Sequence, residues 1–266
     1  MTKLKKLLLA AALAFSATAN AAPILSGFNQ SFVPAVDDGS TKVNLGNGMK
    51  LGLNGAVYSS LYINTNGNVS FDTGMTNYSP AAFNGNSYAT SFLAPFFGDV
   101  DISNGGGSIG YGNGKFDGHN AFGVTWSNVG YFPRMNDLKN TFQLLLVDRS
   151  DTGANNFDFY FNYGSIQWDK SSASAKSRAG FHVKGKPADF EFDGSGAPTE
   201  MLDSGTHALV RASNVSMDGR YAFNVRKGAI TFAEPVSSPA EVPLPGTLPL
   251  LGIGAIALAY GRRRKA

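Results

Sequence analysis

Apolar and polar positions alternate with a period of two through the middle of this chain, and no long stretch keeps the 3.6-residue spacing of an amphipathic helix. Phe157, Phe159, Phe161 and Tyr163 share one side of an extended run, with Asp158, Tyr160 and Asn162 on the other. Phe122, Val124 and Trp126 repeat the pattern, as do Phe142, Leu144 and Leu146. In this last run Leu145 and Val147 are also apolar, which predicts a strand covered on both faces. Tyr58 to Asn64 and Asn68 to Phe71 flank Asn66-Gly67, a pair that readily takes positive φ, so a hairpin with a type I′ turn is predicted there. Further strands are expected at Ser108–Tyr111, Ser165–Trp168, Arg178–Val183, His207–Ala212 and Arg220–Val225. Short strands, Gly and Asn turns and the lack of crossover helices together predict an all-β fold: a single antiparallel β-sandwich-like domain.

The two ends break this pattern. Lys3, Lys5 and Lys6 precede an apolar stretch from Leu7 to Phe15, and Ala19, Ala21 and Ala22 place small residues around a cleavage point. That order of parts is a secretory signal peptide over residues 1–21, expected as an N-terminal signal helix. At the other end, Phe232 to Glu241 reads as a Pro-, Ser- and Ala-containing linker. Val242-Pro243-Leu244-Pro245-Gly246 then leads into an apolar run that Arg262, Arg263, Arg264 and Lys265 stop. Such a basic cluster stays on the cytoplasmic side of a membrane. Leu248 to Tyr260, wound as a helix, reaches about 20 Å against a hydrocarbon core of roughly 30 Å. A short, weak transmembrane helix is therefore expected, in a domain order of signal peptide, β domain (22–231), linker (232–241) and tail (242–266).

The tail resembles a PEP-CTERM sorting signal, in the variant that begins Val-Pro-Leu-Pro-Ala; Gly246 stands in place of that Ala, and Leu244 in place of the Glu of the parent motif. The resemblance implies a Gram-negative bacterium and a membrane-embedded exosortase that cuts near the Pro motif. It also implies transient anchoring in the inner membrane, then delivery to the cell surface or an exopolysaccharide matrix. A permanently anchored protein facing the periplasm is the alternative.

Charge changes meaning once the ends are set aside. Seven of the 22 basic residues lie in them; without those, 15 basic face 19 acidic residues, a net of −4 rather than +3. The exported body thus lacks the basic excess that binding to nucleic acid requires. Cysteine is absent, so disulfides, thiolate metal sites and Cys nucleophiles are excluded.

Four segments of the β region, taken in order, resemble the extracellular nidogen-like (NIDO) domain. They are Leu61 to Phe71, Ala94 to Asp101, Asn120 to Trp126, and Asn140 to Arg149 leading through Phe157–Tyr163 to Trp168; the likeness covers about Leu61 to Phe181. Animal members often carry disulfides nearby, so only the core β unit carries over. The family implies matrix attachment and protein or glycan interaction without a catalytic role. The expectation is a noncatalytic protein of cell-matrix adhesion or biofilm association, with exopolysaccharide as a partner. A secreted hydrolase acting on polysaccharide stands as the alternative.

Candidate chemistry is sparse. Asp99 and Asp101 share a face of an extended segment ahead of Gly105-Gly106-Gly107, and two carboxylates with loop carbonyls suit calcium. Asp148, Asp151 and Thr152 offer further oxygens if they fold nearby. The competing reading has Asp99 and Asp101 binding turn amides or pairing with Arg149. A glycosidase would need two carboxylates about 5–10 Å apart across a cleft. His119, His182 and His207 lack metal spacing and are expected at surfaces or edges. Trp126 and Trp168 are expected in the core, whereas Tyr78, Tyr88, Tyr111 and Tyr131, near Gly and Asn turns, are better placed to stack on sugars.

Overall fold

Asn140 to Asp148 and Phe157 to Ile166 form the central antiparallel pair, with Phe142 opposite Tyr163, Leu144 opposite Phe161 and Leu146 opposite Phe159. This register puts every apolar residue of the two period-two runs on one face, as the alternation requires. The computed structural model describes residues 23–84, 88–172, 176–186 and 189–233. The expected signal helix, and the sorting tail with its short transmembrane helix, lie outside the described residues. Among the described residues no helix is long and apolar enough to cross a membrane.

Strands are numbered in chain order. The larger sheet runs β1 (Ser31–Phe32), β9 (Ser108–Phe116), β10 (His119–Tyr131), β11 (Met135–Asp148), β12 (Phe157–Ile166), β15 (Arg220–Arg226) and β16 (Ala229–Phe232), with β8 (Val100–Asp101) also paired to β10. The second sheet runs β14 (Phe190–Glu191), β13 (Arg178–His182), β7 (Phe92–Phe97), β6 (Asn68–Ser70), β5 (Ser60–Asn64) and β2 (Ser40–Asn44). A small ribbon joins β3 (Leu51–Leu53) to β4 (Ala56–Tyr58). The strands of the sheets pair antiparallel throughout.

Between the sheets lies an aromatic core. Phe96 of the second sheet sits 5.4 Å from Phe142 and 5.3 Å from Trp168, and Phe181 sits 6.0 Å from Phe159. Trp126 stacks on Phe142 at 5.1 Å, and Phe159 on Phe223 at 4.6 Å. Both tryptophans are buried, as their alternating strands require, with indole N–H groups donating to the Thr65 and Val129 carbonyls. Leu145 and Val147 bury the opposite face of β11 with Phe28 and Ala121, so that strand is covered on both sides.

The polar side of β12 is also covered, which simple alternation does not reveal. Asn162 and Gln143 form a hydrogen-bonded row capped by residues 23–25: Gln143 binds the Leu25 backbone through both ends of its amide, and Arg220 reaches the Pro23 carbonyl. Asp158 is held between Arg149 and Arg226, at 2.7 Å each. A buried polar row persists because each member has a partner.

Three local expectations change. The β5–β6 connection is not a type I′ turn, because Gly67 alone of its residues has positive φ (82°) and three residues, Thr65 to Gly67, link paired Asn64 and Asn68. His207–Ala212 is a run of turns rather than a strand: Ala208, Leu209 and Val210 are contiguous rather than alternating, and Leu209 N–H bonds back to Met201. Of Ser165–Trp168, the first two residues end β12, and Gln167 and Trp168 lie beyond it, their amides donating to Asn140 Oδ1 instead of a neighbouring strand.

Gly67 has no room for a side chain, since a Cβ there would lie 1.7 Å from the Phe96 carbonyl oxygen. Gly118, with the same φ of 82°, faces open space. In urea denaturation Gly118→Ala is expected to cost about 1 kcal/mol from backbone strain alone, and Gly67→Ala more than about 3 kcal/mol. Equal losses would show that the Phe96 contact is unimportant.

Candidate functional site

Two of the chain's crossings between the sheets run through Pro34 to Gly39, joining β1 to β2, and through Gly98-Asp99, joining β7 to β8. Both crossings converge on the Thr65–Gly67 turn. Thr65 Oγ1 donates to the Asp37 carbonyl and accepts the Gly39 amide at 2.8 Å. The Asn66 amide group donates to Asp38 Oδ1 at 2.7 Å and to the Asn77 carbonyl at 3.0 Å, while Asn66 Oδ1 accepts the Val100 amide at 3.0 Å. One buried asparagine thus binds both crossings at once.

The result is a set of carboxylates no single stretch of sequence displays. Oxygens of Asp37, Asp38 and Asp99 all lie within 4.8 Å of one another. They line a cavity of about 200 Å³ together with Tyr78 and Phe132. Asp38 is exposed, Asp37 half-buried, and Asp99 only 3% exposed, with its Oδ2 lacking any hydrogen-bond partner. Burial is the main force raising the Asp99 pKa, with Asp38 and Asp101 adding to it and the Ser171 hydroxyl opposing. Asp37 is pushed up to about 6, first by burial, then by the fields of Asp101, Asp38 and Asp99, against Arg134. Such an all-oxygen donor set suits a hard cation.

The residues expected from sequence separate. Asp99 joins the cluster. Asp101 is committed to the fold: Oδ1 accepts the Ser103 amide and hydroxyl, and Oδ2 accepts the Arg134 amide at 2.9 Å. Arg149 pairs with Asp151 and Asp158 rather than with Asp99 or Asp101. Asp148 caps the Ser150 amide and Thr152 bonds the Arg149 carbonyl, so both serve the β11–β12 turn. Asp37 and Asp38 are the residues sequence reasoning missed; Asp37-Asp38-Gly39, two acids ahead of a glycine in a loop, was the available signal.

Among the aromatics, Tyr78 is exposed at the cavity, whereas Tyr88 packs on Phe83 and Phe92 and Tyr111 on Phe122. Tyr131 packs against Trp168. His119 and His207 are at the surface, but His182 is buried, stacked on Phe92 with Nδ1 2.9 Å from Asp189 Oδ1. It is interior because β13 lies between β7 and β14.

A raised Asp37 pKa favours the protonated carboxyl in the fold, so its contribution to stability is complete below the ordinary value of 3.8 and is lost as pH rises through about 6. In buffer free of divalent cations, Asp37→Asn is therefore expected to match the native chain near pH 4. Near pH 7 the variant should be more stable by about 1 kcal/mol, the partial exposure of the carboxyl screening the effect. Denaturation at the two pH values measures this, and a variant less stable at pH 7 would contradict it.

The nidogen-like domain profile matches residues 59–227, and the PEP-CTERM protein-sorting motif matches residues 241–265. Alpha-tectorin from Homo sapiens is 29% identical over 234 residues, covering 74% of this chain and 10% of its own length. Alpha-tectorin from Gallus gallus is 27% identical over the same span, and nidogen from Drosophila melanogaster is 26% identical over 241 residues, covering 80% of this chain and 17% of its own length. The chain thus spans between a tenth and a fifth of these relatives. No solved structure gives a significant match. The sorting motif marks an exported protein handled by an exosortase. With the profile covering more than half of its residues, the chain belongs to the nidogen-like domain family.

Proposed function

We propose that this protein is a noncatalytic component of the bacterial cell surface or extracellular matrix, acting in adhesion or in association with exopolysaccharide. The observation that carries this reading is the succession of a nidogen-like domain at 59–227 and a sorting motif at 241–265 on one chain. The domain is a relative of parts of nidogen and alpha-tectorin, and the tail addresses it outward. In this reading the tail anchors the chain briefly in the inner membrane until the exosortase cuts near Pro243-Leu244-Pro245.

The carboxylate cluster supports a binding role better than a hydrolytic one. Each of its three carboxylates offers an oxygen within 4.8 Å of the others, a spacing at which all three can meet one cation.

Two measurements test the proposal. Expressed in hosts with and without an exosortase, the exported product should lose its C-terminal residues only where the enzyme is present; an intact C-terminus by mass in both would reject the processing. Purified chain should retain exopolysaccharide without releasing sugar. Sugar release that disappears in Asp37→Asn and Asp99→Asn would instead identify a hydrolase.

A further inference from the structure

We propose that Asp37, Asp38 and Asp99 form a calcium site that fastens together two of the crossings between the sheets, β1 to β2 and β7 to β8. Calcium binds oxygens at about 2.3–2.6 Å, so two ligands of one ion can lie up to about 5 Å apart. The mutual limit of 4.8 Å lets a single ion reach all three carboxylates. The cavity of about 200 Å³ leaves space for the waters that complete a shell of six to eight oxygens.

Asp99 supplies the second, independent observation. Its side chain is 97% buried, lines the cavity, and leaves Oδ2 without a hydrogen-bond partner. A buried carboxylate is costly unless paired or bound to a metal. By contrast, Asp158 has two arginines and Asp101 has three donors. The Asn66 amide beside Asp99 is committed to Asp38, Asn77 and Val100, and the Ser171 hydroxyl, which acts on Asp99, is neutral and cannot balance its charge. At Asp37 the field of one cation, Arg134, stands against those of Asp101, Asp38 and Asp99. A divalent ion removes that imbalance.

The donor chemistry narrows the choice of ion. Carboxylates alone, without sulfur or imidazole, disfavour zinc and copper. Magnesium demands a near-ideal octahedron at 2.0–2.1 Å, whereas ligands from two separate loops suit the looser geometry of calcium. The consequence is mechanical. Asp37 and Asp38 lie on the β1–β2 crossing and Asp99 on the β7–β8 crossing, so the ion closes the same end of the sandwich that the Thr65–Gly67 turn organises. An affinity on the order of 10⁻⁴–10⁻³ M, as in extracellular modules, is expected.

The test uses the full chain as exported, stripped with EGTA and titrated with calcium chloride. Thermal denaturation should show a rise of roughly 3–6 °C at tenfold excess over the dissociation constant. The rise should vanish in Asp99→Asn and Asp38→Asn and persist in Asp151→Asn, a carboxylate outside the cluster. Should Asp99→Asn fail to fold, Asp38→Asn decides, because that side chain is exposed. Terbium gives a second readout: its emission, sensitised by Tyr78 at the cavity mouth, should be displaced by calcium and fall at least about twofold in Tyr78→Phe. No rise in the native chain, or an equal rise in Asp38→Asn, would overturn the site. The same rise with sodium chloride at matched ionic strength would reduce it to charge screening, and an equal rise with magnesium would overturn the assignment to calcium.

Discussion

The backbone of Thr65, Asn66 and Gly67 is where the two sheets are held to one another. Trp126 of the larger sheet donates to the Thr65 carbonyl, while Phe96 of the second sheet and Gly98 of the β7–β8 crossing donate to the Gly67 and Asn66 carbonyls. The turn passes so close to Phe96 that hydrogen is the one substituent position 67 accepts. Because these bonds are buried, none exchanges for water without leaving an unpaired group, and the cost of such a group exceeds the net value of the bond. Cross-sheet geometry, and with it the placement of Asp37, Asp38 and Asp99, follows from this contact.

Around that point the core obtains its stability from aromatic area. Phe96, Trp126, Phe142, Phe159, Phe161 and Phe223 are all fully buried, and rings that meet at tilted, edge-on or offset angles add to the value of their burial. The outer face of β11 and β12 is closed by residues 23–28, which supply Phe28 to an apolar patch and backbone partners to Gln143 and Arg220. A chain without disulfides thereby holds its N-terminal segment to the sheet by hydrogen bonds and packing alone.

Rigidity of this kind is suited to a module that must persist outside the cell, where no repair follows export. The cluster at the crossings gathers two of the buried carboxylate oxygens that lack hydrogen-bond partners, Asp37 Oδ1 and Asp99 Oδ2. Its three carboxylates sit in a shallow cavity rimmed by Tyr78 and Phe132, both partly open to solvent. Charge is thus concentrated at one end of the sandwich, beside exposed aromatic rings.

Sequence alone determined the all-β class, most strands, the buried tryptophans, the two-sided burial of β11 and the family, because alternation reports which face of a strand meets the core. The sorting motif was equally legible, since it acts as a linear segment. Tertiary structure decided the rest. Asp101 became a turn staple and Asp99 a cluster member although both lie on one short segment, because Ser103 and Arg134 fold back to only one of them. Asp37 meets Asp99 across more than sixty positions of sequence, a proximity that no local pattern encodes. His182 became interior and the polar row of β12 was covered, because burial depends on which segments lie over a strand, and alternation records only how its side chains divide.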